Sequence, residues 1–263
     1  GFHIKDMKRV KYKSEMKKFY KKAGIKVARH YLVKTLAGCK KFIKEVGYPV
    51  IVKPDNGVGA EATYKLKNET DLIDFLAKKP QGYIMEEYLN AVVNSYDAIV
   101  DFEGNPVFET GLVEMGDLMD IVDNSCYYYL NEPLDDVRDA GRRTLKAFGV
   151  KNRFVHFEFF RLLKDQHIGR KGEVVALEVN MRPAGGCSPD MMNYANSTDV
   201  YKIWADTIAY GKTNVKPQEK FYCAYAGRRN GKPFLYSEQN IVDRYKPYIK
   251  QIWHVPDALS GCM

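Results

Sequence analysis

No stretch of this 263-residue chain approaches the roughly 20 consecutive apolar residues that a membrane span needs. Its Lys-rich beginning also lacks the apolar run of an export signal. No Cys-x-x-Cys pair occurs. The five cysteines (Cys39, Cys126, Cys187, Cys223 and Cys262) are far apart and odd in number, which argues against a disulfide framework and against a structural zinc site. The five histidines show no His-x-x-x-His spacing, and there is no internal repeat and no low-complexity tract. These absences lead us to expect an unsecreted, cytoplasmic chain with no membrane partner. It opens at Gly1 rather than Met, which leads us to expect a trimmed or tagged start.

A strong excess of one charge is also missing from most of the chain. Lys and Arg number 41 against 33 Asp and Glu, a net charge of +8. Residues 1–22 alone hold nine bases against Asp6 and Glu15, so the remainder is close to neutral. A nucleic-acid binder spreads its bases along a groove-facing surface, and here they sit in one segment. That segment reads as a solvated helix face, with a phosphate-facing contribution as the alternative, and no nucleic-acid partner is expected. Apolar residues make up 45% and aromatics 13%, enough for a sizeable core in one large domain or two lobes.

Ser14 to Gly24 reads as an N-capped helix with a glycine stop, and residues 25–33 read as a strand. A short helix over 39–46 leads into the buried strand of Pro49-Val-Ile-Val-Lys53, and Asp55 to Ala60 is a flexible turn. A strand near 62–66, a helix near 69–78 and a strand over 82–89 follow. Residues 96–102 and 106–113 flank Glu103-Gly-Asn105 as a hairpin, and 116–126 is a polar loop. A helix over 135–148 ends at Gly149, strands run over 154–163 and 173–181, and 199–210 is helical. The remainder reads as mixed strand and loop. The expected class is α+β, with antiparallel sheets in two lobes, residues 1–88 and 89–263, meeting near Glu86–Leu89.

The most informative stretch is Ala176-Leu-Glu178-Val-Asn180-Met-Arg182-Pro-Ala-Gly185-Gly186. On a strand, Glu178, Asn180 and Arg182 share one face, while Leu177, Val179 and Met181 share the other. A carboxylate beside an amide oxygen is a hard ligand pair suited to Mg²⁺ that also holds phosphate. Glu158 lies among aromatic and β-branched residues, where an unpaired carboxylate is costly. If its strand pairs with 173–181, Glu158 and Glu178 face one space; the bland alternative pairs Glu158 with Arg161 or His156. Lys53 ends an apolar run, and Gly57 and Gly59 behind it can let backbone N–H groups close over phosphate oxygens. The Gly-Lys-Ser/Thr of a Walker loop does not follow. Tyr127-Tyr-Tyr129 and Met119, Met191 and Met192 read as packing residues, and Asp117, Asp120 and Asp123 as solvated loop acids.

In this order, Lys13, Lys53-Pro, Gly57-x-Gly59, Met85-Glu86-Glu87-Tyr88-Leu89, Glu158, Glu178-x-Asn180-x-Arg182 and Gly185-Gly186 resemble the ATP-grasp superfamily. The likeness is to its carbamoyl-phosphate-synthase-like and biotin-carboxylase-like carboxylate–amine ligases, over about residues 10–212. It implies two α/β lobes whose antiparallel sheets sandwich the nucleotide. It also implies that Lys13 and Lys53 contact phosphates. Glu86 would lie near the adenine amino group, with the backbone of Glu87 and Leu89 on the ring edge. Glu158, Glu178 and Asn180 would hold two Mg²⁺ ions, and Arg182 would stabilise the transferring phosphoryl. The implied partners are ATP with a small-molecule carboxylate and an amine (or thiol), and a homodimer is compatible with the resemblance.

The sequence departs from the family in three ways. No acid follows the hinge to bind ribose, so Asp97 is the nearest candidate. The 263 residues open directly at the lysine helix, so no counterpart of the family's N-terminal domain is expected within them. The lid and the residues beyond Arg182 differ from those of biotin carboxylases, which disfavours bicarbonate chemistry. The expected reaction is ATP-driven amide formation through an acyl phosphate. A bicarbonate-activating, carbamoyl-phosphate-type subunit and a non-catalytic ATP-binding module are the alternatives.

Overall fold

The computed structural model describes residues 3–57, 62–114, 127–131, 133–216, 218–228 and 233–254. A short helix, α1 (Met7–Lys11), precedes α2 (Lys13–Lys22), which stops where Gly24 takes φ +70°, a conformation that only glycine adopts cheaply. Ser14 does not cap α2 as expected but lies inside its first turn. The cap comes from Asp55, whose carboxylate accepts from the Ser14 backbone N–H and from its hydroxyl, both at 2.7 Å. A carboxylate there also complements the positive end of the helix dipole.

The expected strand over 25–33 divides in two. β1 (Lys26–Val27) pairs in parallel with residues 175–176 of the larger sheet, and β2 (His30–Leu32) pairs with residues 84–86 of the smaller one. The chain thus crosses between sheets within three residues.

The small sheet has the order β2-β5-β3-β4, with β3 (Val50–Pro54), β4 (Tyr64–Leu66) and β5 (Tyr83–Glu87). Helices α3 (Leu36–Val46) and α4 (Glu69–Ala77) are capped locally by Thr35 and Asn68. They cover one face, burying Phe42, Ile43, Leu72 and Phe75 against Val50, Val52 and Met85. The opposite face carries Lys53 and Glu86, diagonal neighbours because Ile51 pairs with Glu86 and Lys53 with Ile84.

The large sheet runs β1-β10-β9-β6-β7-β8-β11. Its strands are β6 (Ala91–Val100), β7 (Pro106–Glu114), β8 (Tyr127–Asn131), β9 (Arg153–Leu162), β10 (Val174–Asn180) and β11 (Cys223–Ala226). On one face α2 and α5 (Asp135–Phe148) pack Tyr20, Tyr96, Phe148, Phe157 and Phe159 into a core. Part of the other face lies under α6 (Ser188–Asn196) and α7 (Val200–Tyr210), whose Met191, Met192 and Ile203 meet Ile99 and Phe154.

The expected division at residue 88 lies downstream of α2 and β1, and Met16, Tyr20 and Ile25 pack in the core of the large sheet. The region read as mixed strand and loop contains α8 (Glu238–Tyr245), opened by a Ser237/Asn240 capping box, and no helix had been anticipated at α6. The polar loop at 116–126 falls outside the described residues, as do Met119, Asp117, Asp120 and Asp123.

Candidate active site

One irregularity in β10 decides where Glu178 points. Ala176 pairs with Phe159, but Glu178 pairs with Glu158, so the register slips at Leu177. Because side chains alternate, a one-residue slip exchanges faces. An unbroken ladder would set Glu178 beside Phe157 in the core. The bulge instead brings Glu178 and Asn180 onto the face of Glu158 and His156, while Val179 stays in the core.

Across the sheet this face holds two polar rows. One reads Asn180, His156, Asp97 and Thr110, and the other Glu178, Glu158 and Ser95. Asp97 is fully buried. Its carboxylate accepts from the Ser95 hydroxyl and lies 2.8 Å from His156 Nδ1, while His156 Nε2 lies 3.2 Å from Glu158 Oε1. Both oxygens of Asp97 are therefore engaged, one by Ser95 and one by His156.

Basic residues face these acids from α2 and the small sheet. Lys13 Nζ donates to the Gly57 carbonyl at 2.6 Å and stands 3.3 Å from Glu178 Oε1. One turn later, Lys17 Nζ lies 2.7 Å from Glu86 Oε1, and Lys53 Nζ lies 2.7 Å from Glu86 Oε2. All three lysines and Glu86 are buried. The Glu86 carboxylate is thus held by two ammonium groups. Lys17 was not singled out from the sequence, although its spacing of four from Lys13 puts both on one helix face.

The charges reshape one another. Burial would raise the Glu86 carboxyl, but Lys17 and Lys53 hold it well below the usual range. Burial lowers Lys17 despite Glu86. Glu178 is raised by burial and by the charge of Glu158, against the pull of Lys13 and Lys53. Burial would also raise Glu158, yet His156 and, further off, Lys53 and Arg182 hold it low. His156 is pushed up to about 10, because Asp97 and Glu158 outweigh the cost of burying its charge. Glu114, at the end of β7, is raised to about 7 by burial and by Glu158. The sequence offered no signal for Glu114, since its surroundings come from other strands.

Arg182 follows β10 on the exposed rim, where it donates to the Pro183 carbonyl at 2.8 Å, and Gly185 and Gly186 are exposed beside it. Gly59 lies outside the described residues. Glu87 is turned from the cleft. It accepts from the Arg29 backbone at 2.7 Å and guanidinium at 2.9 Å, with His167 at 3.3 Å. Leu89 packs with Ala28, Leu162 and Val175 between the lobes. Asn90 beyond it exchanges two 2.9 Å hydrogen bonds with Gln166.

Among the described residues no three His, Cys, Asp or Glu side chains gather into a cation cage. Glu158, Glu178 and the amide of Asn180 are hard oxygen donors on one face. Mg²⁺ is commonly held by one or two carboxylates, with water and substrate phosphates completing its shell. The like-charge strain between Glu158 and Glu178 is the feature a divalent cation relieves, so the residues fit the ion.

Two lobes, with lysines from α2 and the small sheet facing a carboxylate row on the large one, define the class: the chain has the ATP-grasp fold. Among solved structures it is similar to an L-amino acid ligase from Bacillus licheniformis, with a TM-score of 0.63 and 16% identity over 83% of this chain and 51% of that one. It is also similar to a biotin carboxylase from Campylobacter jejuni in complex with β-γ-ATP, with a TM-score of 0.58 and 21% identity over 81% and 50%. Among curated proteins, the large chain of carbamoyl phosphate synthase from Thermotoga petrophila is 25% identical over 193 residues, 69% of this chain and 17% of its own length. The chain therefore spans about half the length of these solved relatives. No protein-family profile matches it.

Proposed function

We propose that the chain is the catalytic core of an ATP-dependent carboxylate–amine ligase, forming a C–N bond and releasing ADP and phosphate. One observation carries this reading: Lys13 and Lys53 converge on the Glu158/Glu178 pair, giving one cleft both a cationic wall for phosphates and a carboxylate wall for Mg²⁺. Lys13 and Lys53 bind the phosphate chain, and Lys17 holds Glu86 beside them. Glu158, Glu178 and Asn180 hold the cation, with two ions as the working number. When bound, Mg²⁺ supplies positive charge to the phosphate oxygens. A substrate carboxylate attacks the γ-phosphorus and displaces ADP. The resulting acyl phosphate is attacked by an amine, which expels phosphate. Arg182 on the rim stabilises the transferring phosphoryl and the developing oxyanion, acting by position and charge.

Calorimetric titration of Mg·ATP into the wild type and Glu178→Ala tests the site. Saturable binding that weakens in the variant is expected; no binding to the wild type, or equal binding to both, sinks the assignment. ADP release across paired acids and amines, with a bicarbonate arm, then tests the reaction. Glu178→Ala or Arg182→Ala is expected to cost about 3 kcal/mol or more in the transition state. Turnover within tenfold of wild type in both variants would remove these residues from the mechanism.

A further inference from the structure

The sheet carries a hydrogen-bonded chain of polar side chains. It begins at the Leu112 backbone N–H on β7, which donates to the Ser95 hydroxyl at 3.0 Å. Ser95 donates to Asp97, Asp97 faces His156 Nδ1 at 2.8 Å, and His156 Nε2 faces Glu158 Oε1 at 3.2 Å. Register makes the arrangement rigid. Asp97 lies directly opposite His156, and Ser95 directly opposite Glu158, so the four residues form a square on two neighbouring strands.

Exposure rises along the chain in one direction. The side chain of Asp97 is 0% exposed, that of His156 11% and that of Glu158 24%. Burying a carboxylate and an imidazole inside a sheet is expensive, and apolar residues of similar volume would pack there at lower cost. The sealed end is anchored to the backbone of β7, and the open end is a carboxylate facing Glu178. Such a chain fixes the outermost group while leaving its second oxygen available.

We propose that His156, held by Asp97 and Ser95, is a positioning residue that orients the Glu158 carboxylate for the divalent cation. This rests on the reading of Glu158 as a cation ligand. Groups behind a ligand that fix its orientation are typically worth 10–100-fold in metal affinity. The imidazole does so here by presenting Nε2 to one oxygen of Glu158, so that the other faces Glu178 and Asn180.

The test is a Mn²⁺ titration followed by electron paramagnetic resonance on the full chain with ADP, alongside calorimetry of ADP without metal. His156→Ala is expected to weaken Mn²⁺ binding by about 10-fold or more. Metal-free ADP affinity should stay within twofold. His156→Gln, which keeps an N–H donor within reach of Glu158, is expected to recover part of the loss. Mn²⁺ affinity within twofold of wild type in a folded His156→Ala overturns the proposal, and so does an equal loss of metal-free ADP affinity. If His156→Ala lacks the wild-type circular dichroism, Ser95→Ala is read instead: a loss of at least threefold supports the proposal and no loss overturns it. Failure of the wild type itself to bind Mn²⁺ with ADP overturns the ligase reading, and this inference with it.

Discussion

Glu114 is the acid whose surroundings oppose its charge most visibly. Its folded value of about 7 lies above the ordinary 4.5, so the folded protein holds this proton more tightly than the unfolded chain. Below pH 4.5 the group is neutral in both states and costs nothing. Stability falls as pH rises from 4.5 to 7, and the full penalty stands above that, on the order of 3 kcal/mol for such a shift. Glu114→Gln should therefore raise the stability of the metal-free protein at pH 8 by about that amount, with little gain at pH 4.5. Thermal melts at the two pH values check this, and an equal gain at both would mean that packing, not ionisation, is responsible. His156 shows the opposite side: a buried charge is tolerated where a partner stands within 3 Å, as Asp97 does at 2.8 Å.

At the scale of elements, helix starts separate into local and remote. α3, α4 and α7 are capped by Thr35, Asn68 and Asp199, each next to its helix in sequence. These starts are legible from a few residues, because an N-cap acts over one turn. α2 has its cap in Asp55, 41 residues away, which no local pattern reveals. Asp55→Ala should cost about 1–2 kcal/mol by freeing the first turn of α2. Because α2 carries Lys13 and Lys17, it should also weaken ADP binding. Thr35→Ala should cost about 1 kcal/mol and leave ADP binding unchanged, since α3 lies on the far face of the small sheet. Urea melts with ADP calorimetry distinguish the two variants; equal ADP affinity in both would detach Asp55 from the site.

For the whole molecule, the lobes are tied by more than a hinge. Leu89 and Ala28 pack against Leu162 and Val175, Gln166 brackets Asn90, and Arg29 with His167 grips Glu87. The helix that supplies Lys13 and Lys17 is rooted in the large lobe, yet Lys17 grips Glu86 of the small one. We therefore expect a single cooperative thermal transition. Mg·ATP at 100 times its Kd should stabilise it by about 2.7 kcal/mol. Calorimetric melts with and without ligand check this; two separate transitions, or an unshifted one, would contradict a cleft built from both lobes.

Much of the site was legible from residue order alone. Glu178 and Asn180 alternate on one strand with Arg182 just beyond it, Lys53 closes an apolar run, and Glu158 stands out as an acid among aromatics. Periodicity and burial cost are local properties, so residue order was enough for the α+β class, the main strands and most of the acids and lysines that line the candidate site. It could not determine where a register slips or which distant groups share a charge. The bulge at Leu177 turns Glu178 from the core to the cleft, and it exists only in the pairing of β10 with β9. Likewise Asp97 belongs to His156, Glu86 to Lys17 and Lys53, and Asp55 to α2, because groups 33 to 69 residues apart are brought within 3 Å. Those pairings were decided by the tertiary structure, for electrostatics inside a fold depends on distance and burial rather than on order along the chain.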